Sequence, residues 1–579
     1  MLGISDFQEN LVAYECVRIR DARTVWLNDA STEALAEILD TDSKATSFAR
    51  HFSYVPAVNS CFTEAELDQN DRRVYFAERY GGRGVGDNGG GARAGNHGKF
   101  QIKGTGPNPL AGHASKWHSY GSLSLIDAAY EAIYSTVLDG VLPRGCAKVH
   151  GVIHTSLTGA LNLLGWGTKN IELLPTSGAL LVREQTMRPA HFMHAELFAS
   201  REPGIVREPM RIRAVHRRLR KHFDTTNQFV QFLGEVILSS AKQFAFARAA
   251  RIAHGGISPS NICLDGRWID LSEARFLSGG KNFRGAPVSF YDEPQVIAEA
   301  VTQIMYVFGK CNTLHLNTAP LLDYFQNAFD GSFAYYTLSM LGLPSASLSD
   351  IARSAEGKVF AQAYSSVVLR GKRPVRELPG RLDPDDPVIG FMQSCYLSLT
   401  DASSNVPDLD ALPAVTAFRT VFHRSVQVEN GTIDLDVFRN CAIASAVKAL
   451  RWAYLSAYFY RDRIRSHLAN VVGDRDIPAI GAFIQECVDQ AKWIFATACR
   501  GDVCILETDV VRVSFDQARA AYVVRDDGER IFRHYDDCLA WIKTCYPKLS
   551  LQGKFDPLPY LEDIAGLLSG LERMSRLSV

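Results

Sequence analysis

Between His254 and Asp270 the chain reads HGGISPSNICLDGRWID, and this stretch constrains the fold more than any other. It predicts a loop followed by a short strand pair, Ile262 to Leu264 and Trp268 to Ile269, turning at Asp265-Gly266, because Asp-Gly between apolar residues favours a tight hairpin. Such a hairpin brings a side-chain amide, Asn261, beside a carboxylate, Asp270, at the strand end. Two oxygen donors of this kind suit Mg²⁺, which uses few protein ligands and fills its shell with water and phosphate oxygens. Alone, Asn and Asp are ordinary turn residues, so their weight comes from what precedes them.

Two features precede them. From Tyr80 to Gly106 the sequence YGGRGVGDNGGGARAGNHGKFQIKGTG is a glycine-rich loop feeding a short alternating strand, Lys99 to Lys103, with no GxxxxGK[ST] phosphate loop. From Gly121 to Leu138, Leu125, Ala128, Ala129, Ala132 and Ile133 recur at helical spacing, with Gly140 as the stop signal and Pro143 beyond it. Strands at Ala147 to Ile153 and Ala179 to Arg183 flank this helix. The order along the chain is therefore glycine loop, strand Lys103, helix Glu131, amide Asn261 and carboxylate Asp270. Protein-kinase-like enzymes use that order for a phosphate-holding lysine, the glutamate that fixes it, and two metal ligands.

These blocks resemble the selenoprotein O-like protein adenylyltransferases. IKGTGPNP (Ile102 to Pro109) is similar to the family's LKGAGPTP, GSLSLIDAAYE (Gly121 to Glu131) to GRAVLRSSIRE, and the 254–270 segment to HGVMNTDNMSILGLTID without a gap. A fourth block, ALLVREQTMRPAHFMHAELF (Ala179 to Phe198), is similar to VLVRVAPSHIRFGHFE; Arg183 matches its first arginine, and Arg188 or His191 stands near its second. The resemblance implies an α+β fold with a protein-kinase-like two-lobed core and extensions at both ends. It implies ATP with Mg²⁺ (or Mn²⁺) as cofactors, Lys103, Gly104, Gly106, Arg183 and Arg188 at the nucleotide, and Asn261 and Asp270 at the metal. Lys103, Glu131 and Asp270 would carry catalysis: AMP transfer to a protein or peptide acceptor, with pyrophosphate released.

One departure alters the chemistry. The family has Asp immediately before the metal Asn, and this chain has Ser260, which supplies none of the ~10²–10⁴-fold that a general base contributes. His254, Asp265 and Glu273 are the nearby alternatives. A carboxylate acceptor is already ionised and needs no base, which points to adenylation of a peptide or small-molecule acid within a ligase, as in peptide natural-product (microcin-type) maturation, where a distant branch of the family occurs. A phosphotransferase remains an alternative. So does a silent scaffold, favoured by Ser260 and by Ser272 in place of a small glycine after Asp270.

The lobes then divide as an N-terminal extension (1–75), a small lobe (76–200), a metal-binding part of the large lobe (201–300), its helical remainder (301–500) and a mixed C-terminal region (501–579). Helical spacing is expected from Asn227 to Ala253 and through most of 290–500, and VVRVSFDQ, AAYVVRD and LAWIKTCY predict two strands and a helix near the C-terminus. With 62 Lys plus Arg against 63 Asp plus Glu, the chain lacks the charge of a nucleic-acid binder, and the basic run Arg207 to Phe223 reads as a solvated helix face. Twelve cysteines form no CxxC pair, which argues against a zinc module, and Cys499 and Cys504 read as reduced thiols. The residues MLGISDFQENLVAYECVRIRD lack a secretory plan, and no apolar run approaches the ~20 residues of a membrane span. A cytoplasmic protein without membrane contact is expected.

Overall fold

The computed structural model describes residues 2–40, 43–57, 59, 61–112, 120–164, 172–200, 204–277, 288–370, 386–400, 412–431, 433–473, 475–497, 501–551 and 555–577. In its first third, β1 (Leu11–Ile19), β2 (Arg23–Leu27), α1 (Lys44–Phe52), β3 (Tyr54–Pro56), β4 (Leu67–Glu78), β5 (Ala94–His97), β6 (Phe100–Lys103), α2 (Leu125–Val141), β7 (Val149–His154), the paired β8 (Ala160–Leu164) and β9 (Glu172–Thr176), and β10 (Ala179–Glu184) follow in order. Eight of these strands form one antiparallel sheet in the order β2-β7-β10-β6-β5-β4-β1-β3. Residue 75, the expected end of an N-terminal extension, lies inside β4, and β1 to β3 belong to the same sheet as Lys103.

Alternation along β6 decides which side chains meet. Phe100 and Ile102 join Phe48 and Phe52 of α1 in the apolar layer on one face of the sheet. Gln101 and Lys103 therefore turn to the other face, which α2 covers through Leu181, Val152 and Val149. α2 starts at Ser124, whose hydroxyl accepts the Asp127 amide at 3.1 Å, and it runs through Gly140 to Val141. The expected stop at Gly140 is thus displaced to Leu142, the residue before Pro143, where a following proline disfavours helical backbone.

The rest is mostly helical: α3 (Glu208–Arg220), α4 (Thr226–Ala249), then the two-residue ribbon of β11 (Ile252–Ala253) with β12 (Arg275–Phe276), and α5 (Glu293–Asn312), α6 (Ala319–Met340), α7 (Leu348–Arg353), α8 (Ala355–Arg370), α9 (Pro387–Leu397), α10 (Leu412–Asn430), α11 (Leu435–Leu455), α12 (Arg461–Gly473) and α13 (Ile477–Ile494). α4 stops short of the expected Ala253 because Arg251 takes a left-handed φ of 58° and sends the chain into β11. At the C-terminus β13 (Asp502–Glu507), β14 (Arg512–Asp516), β15 (Ala521–Arg525) and β16 (Glu529–Phe532) form an antiparallel meander packed with α14 (Tyr535–Cys545) and α15 (Leu558–Glu572). Cys504 is a buried free thiol, and Cys499 lies outside the described residues. The architecture is α+β. Among the described residues no helix is long and apolar enough to cross a membrane.

Candidate functional site

A cleft of about 580 Å³ opens between the sheet face bearing Gln101, Lys103 and Arg183, the glycine-rich loop before β5, and the loop that carries Asn261. Its floor is a buried chain of ionic contacts. The Lys103 amine donates to Glu131 Oε2 and to Asp270 Oδ1, each at 2.5 Å. Glu131, fully buried on α2, accepts at its other oxygen from Arg183 at 2.7 Å, and Arg183 donates onward to Gln101 at 2.8 Å. Two expected site carboxylates from separate parts of the chain therefore converge on the ammonium group of a third expected residue, Lys103.

Asp270 is the member open to the cleft, with 28% of its side chain exposed. Burial pushes its carboxyl upward, but Lys103, Arg183 and Arg93 override this and hold it far below the usual carboxylate range. Its backbone adopts φ 64°, a left-handed conformation uncommon outside glycine and best tolerated by Asn and Asp. The expected turn forms, but the flanking residues make a single antiparallel bridge, Ile262 to Trp268, and not the expected pair of strands: Cys263 donates to the Arg267 carbonyl at 2.8 Å and Ile269 to the Asn261 carbonyl at 3.1 Å. The turn is closed by the Gly266 amide on the Cys263 carbonyl, with Gly266 left-handed at φ 87°. This places Asn261 and Asp270 on the same cleft wall.

Asn261 is oriented by its own loop, donating to the Gly256 carbonyl at 2.7 Å and accepting from Ser260 at 3.3 Å. Its Oδ1 and Asp270 Oδ2, the oxygen not engaged by Lys103, fit the sparse donor set that Mg²⁺ requires beside phosphate. No group of three or more His, Cys, Asp or Glu is placed to hold a metal among the described residues.

None of the three alternative bases is placed for the task. His254 is buried with its Nε2 between the Asn261 and Ile269 carbonyls, 3.2 Å from each, and burial lowers its pKa to about 4, so it ties the hairpin together as a neutral ring. Asp265 is paired with Arg267 at 2.8 Å and does not line the cleft. Glu273 lines it but is held by Arg461 at 2.7 Å.

Arg188 lines the cleft, whereas His191 is wholly buried behind it, accepting the Arg188 amide at Nδ1. The Arg188 guanidinium donates to the Ser260 carbonyl at 3.0 Å, pairs with Glu78 and lies 4.6 Å over the Tyr80 ring. Burial lowers its pKa to about 10, so it remains a cation. Gly104 and Gly106, expected at the nucleotide, do not line the cleft. Both are left-handed, at φ 97° and 112°, and a Cβ would stand 2.6 Å from the Ala179 carbonyl oxygen at the first and 2.4 Å from the Asn59 amide nitrogen at the second, so they allow close packing behind Lys103.

Sequence reasoning missed several groups. Arg93, at the end of the glycine loop, lines the cleft; its carbonyl accepts the Gly104 amide at 2.8 Å, while its guanidinium has no hydrogen-bond or ion-pair partner among the described residues. The signal for it was a cation set among glycines immediately before a strand. Glu78 and Tyr80, which hold Arg188, had no motif to mark them. Glu293, buried at the start of α5, accepts the amides of Gly255 at 2.7 Å and His254 at 3.1 Å and so anchors the loop leading to Asn261; burial raises its pKa to about 7. No protein-family model matches the chain, and no curated protein matches it.

Proposed function

We propose that the protein is a Mg²⁺-dependent adenylyltransferase that moves AMP from ATP to a protein or peptide acceptor and releases pyrophosphate. The observation that carries this reading is Lys103, held between Glu131 and Asp270 at the floor of a cleft roofed by a glycine-rich loop. Further support comes from the arrangement around it: a sheet carrying the lysine, a helix carrying its glutamate, and a helical body supplying Asn261 and Asp270, which suits a kinase-like two-lobed core.

In this mechanism the residues position and neutralise. Lys103 meets phosphate oxygens, Glu131 fixes Lys103 and Arg183, and Arg93, Arg183 and Arg188 supply positive charge along the cleft. Asn261 and Asp270 would hold the metal, which when bound would supply positive charge against the phosphates. An acceptor oxygen attacks the α-phosphorus, the α–β anhydride bond breaks, and pyrophosphate leaves with the bonding electrons.

A specific observation favours a carboxylate acceptor. Every carboxylate lining the cleft is ion-paired: Glu78 with Arg188, Asp270 with Lys103, and Glu273 with Arg461. Ser260 offers a hydroxyl that donates to Asn261 or shares a hydrogen with Ser258, 2.8 Å away. No group among these is free to take a proton from a hydroxyl acceptor, and a carboxylate has none to lose. Adenylation of a peptide or small acid, as the first half of a ligation, follows from that chemistry.

The test uses purified protein, Mg²⁺ and ATP labelled separately at the α- and γ-phosphates, beside Asp270→Ala. Alpha label on an acceptor with pyrophosphate release supports the proposal. Transfer of γ label makes the protein a kinase, Mg-ATP binding without turnover under any acid acceptor makes it a scaffold, and turnover that survives Asp270→Ala removes the metal assignment.

A further inference from the structure

Helix α12 is far from the cleft in sequence, yet it touches both segments that meet at Lys103. From it, Arg465 donates to Asp127 Oδ1 at 2.9 Å and to the Ser272 carbonyl at 3.2 Å, and its guanidinium lies 4.8 Å over the Tyr130 ring. Asp127 and Tyr130 belong to α2; Asp127 precedes Glu131 by one helical turn and shares its side of the helix. Ser272 follows Asp270 by two residues. One turn before Arg465, Arg461 donates to Glu273 at 2.7 Å. Between the two segments, the Tyr130 hydroxyl donates to the Ala274 carbonyl at 2.7 Å, and Tyr134 reaches the Phe459 carbonyl just before α12.

We infer that Arg465 is a positioning residue that sets the spacing between α2 and the Asp270 segment, so that Glu131 and Asp270 remain on opposite sides of the Lys103 amine. The physical case rests on geometry. A guanidinium presents several donors in a rigid fork, so one side chain holds a carboxylate on α2 and a backbone carbonyl beyond Asp270 at fixed separation, which a single ammonium cannot do equally well. Arg465 is only 27% exposed, so its charged hydrogen bonds are less screened than surface pairs. Asp127 answers in kind: burial alone would raise its carboxyl, but Arg465 and the Ser124 hydroxyl hold it below the usual range. Without the strut, the Tyr130–Ala274 hydrogen bond would be left as the direct tie between α2 and the loop, and both contacts on Lys103 would lengthen.

This inference rests on the adenylyltransferase reading for its kinetic readout but not for its structural one. The full chain is made as wild type, Arg465→Gln, Arg465→Lys, Asp127→Asn and the Arg465→Gln/Asp127→Asn pair. Amide hydrogen exchange and AMP transfer from Mg-ATP are then measured. Arg465→Gln is expected to speed exchange at the start of α2 and over 270–274 while leaving β13 to β16 unchanged. It is expected to lower kcat by about 10- to 100-fold, as misplacement of a positioned group does, with a smaller change in KM for ATP. Arg465→Lys recovers part of the loss, and the double variant loses no more than the worse single one, because both remove one contact. Unchanged exchange at α2 and 270–274 overturns the inference, as does faster exchange spread evenly over the molecule or a kcat within about twofold of wild type. If wild type transfers no AMP, the functional reading fails and the exchange pattern alone decides the role of Arg465.

Discussion

Glu131 answers two buried cations, Lys103 and Arg183, with one carboxylate; Asp270 also pairs with Lys103, but among the described residues no other carboxylate pairs with Arg183. Removing one partner of a buried ionic contact is costly because the remaining charges stay desolvated. Glu131→Ala should therefore cost about 3–5 kcal/mol in urea unfolding, well beyond a typical surface change. Lys103, Glu131, Asn261 and Asp270 were legible because their order along the chain carries chemical meaning. Arg93, Glu78 and Glu293 were not, because a lone arginine or glutamate acquires a role only from the backbone amides and charges that the fold sets around it. Gly104 and Gly106 were misplaced for a related reason: a glycine beside a site lysine reads equally well as room for phosphate or as room for a neighbouring strand.

Gly104 shows how such packing acts on a whole element. It ends β6 in a left-handed conformation with the Ala179 carbonyl of β10 against its α-carbon, whereas Gly98, in the turn between β5 and β6, is left-handed at φ 58° with open space around it. Gly98→Ala should cost about 1–2 kcal/mol, the strain of a left-handed residue with a Cβ. Gly104→Ala should cost that and about 1–3 kcal/mol more, because the added Cβ forces β6 from β10. Thermal melts of the two variants rank them, and weaker Mg-ATP binding by Gly104→Ala alone is the expected companion result. The long helices were readable from apolar spacing, and α2 differed only at its ends, where Ser124 caps it and Pro143 closes it. β13 and β16 were missed: DVCILE is an apolar run without alternation, and ERIF is largely exposed, so neither carries the period of two that marks a half-buried strand.

At the scale of the whole molecule, buried imidazoles govern the response to acid. Burial lowers the pKa of His150, His216 and His254 to about 4 in each case. An unfolded histidine titrates near ~6.5, so between pH 6.5 and 4 the unfolded chain binds more protons and stability falls as pH falls. These three groups alone can contribute about 4 kcal/mol per pH unit, three times the ~1.36 kcal/mol of one proton, and His51 and His191, whose pKa values burial also lowers, add to it. Glu293 acts with the opposite sign: raised to about 7, it costs stability as pH rises from its unfolded value towards 7. Glu293→Gln should accordingly melt with a steeper acid dependence than wild type between pH 4.5 and 6.5, as scanning calorimetry across that range would record; an equal or shallower slope contradicts the assignment.

The sheet order has a consequence for how the chain is made. β2 ends at Leu27, and its partner strand β7 begins at Val149. At about 5–20 residues per second of synthesis, β2 leaves the ribosome roughly 6–24 s before its neighbour exists. During that interval the nascent chain carries an unmatched strand that any other extended segment can join. The ribosome therefore delivers β2 into a waiting period that β1, whose partners β3 and β4 follow soon after it, does not share.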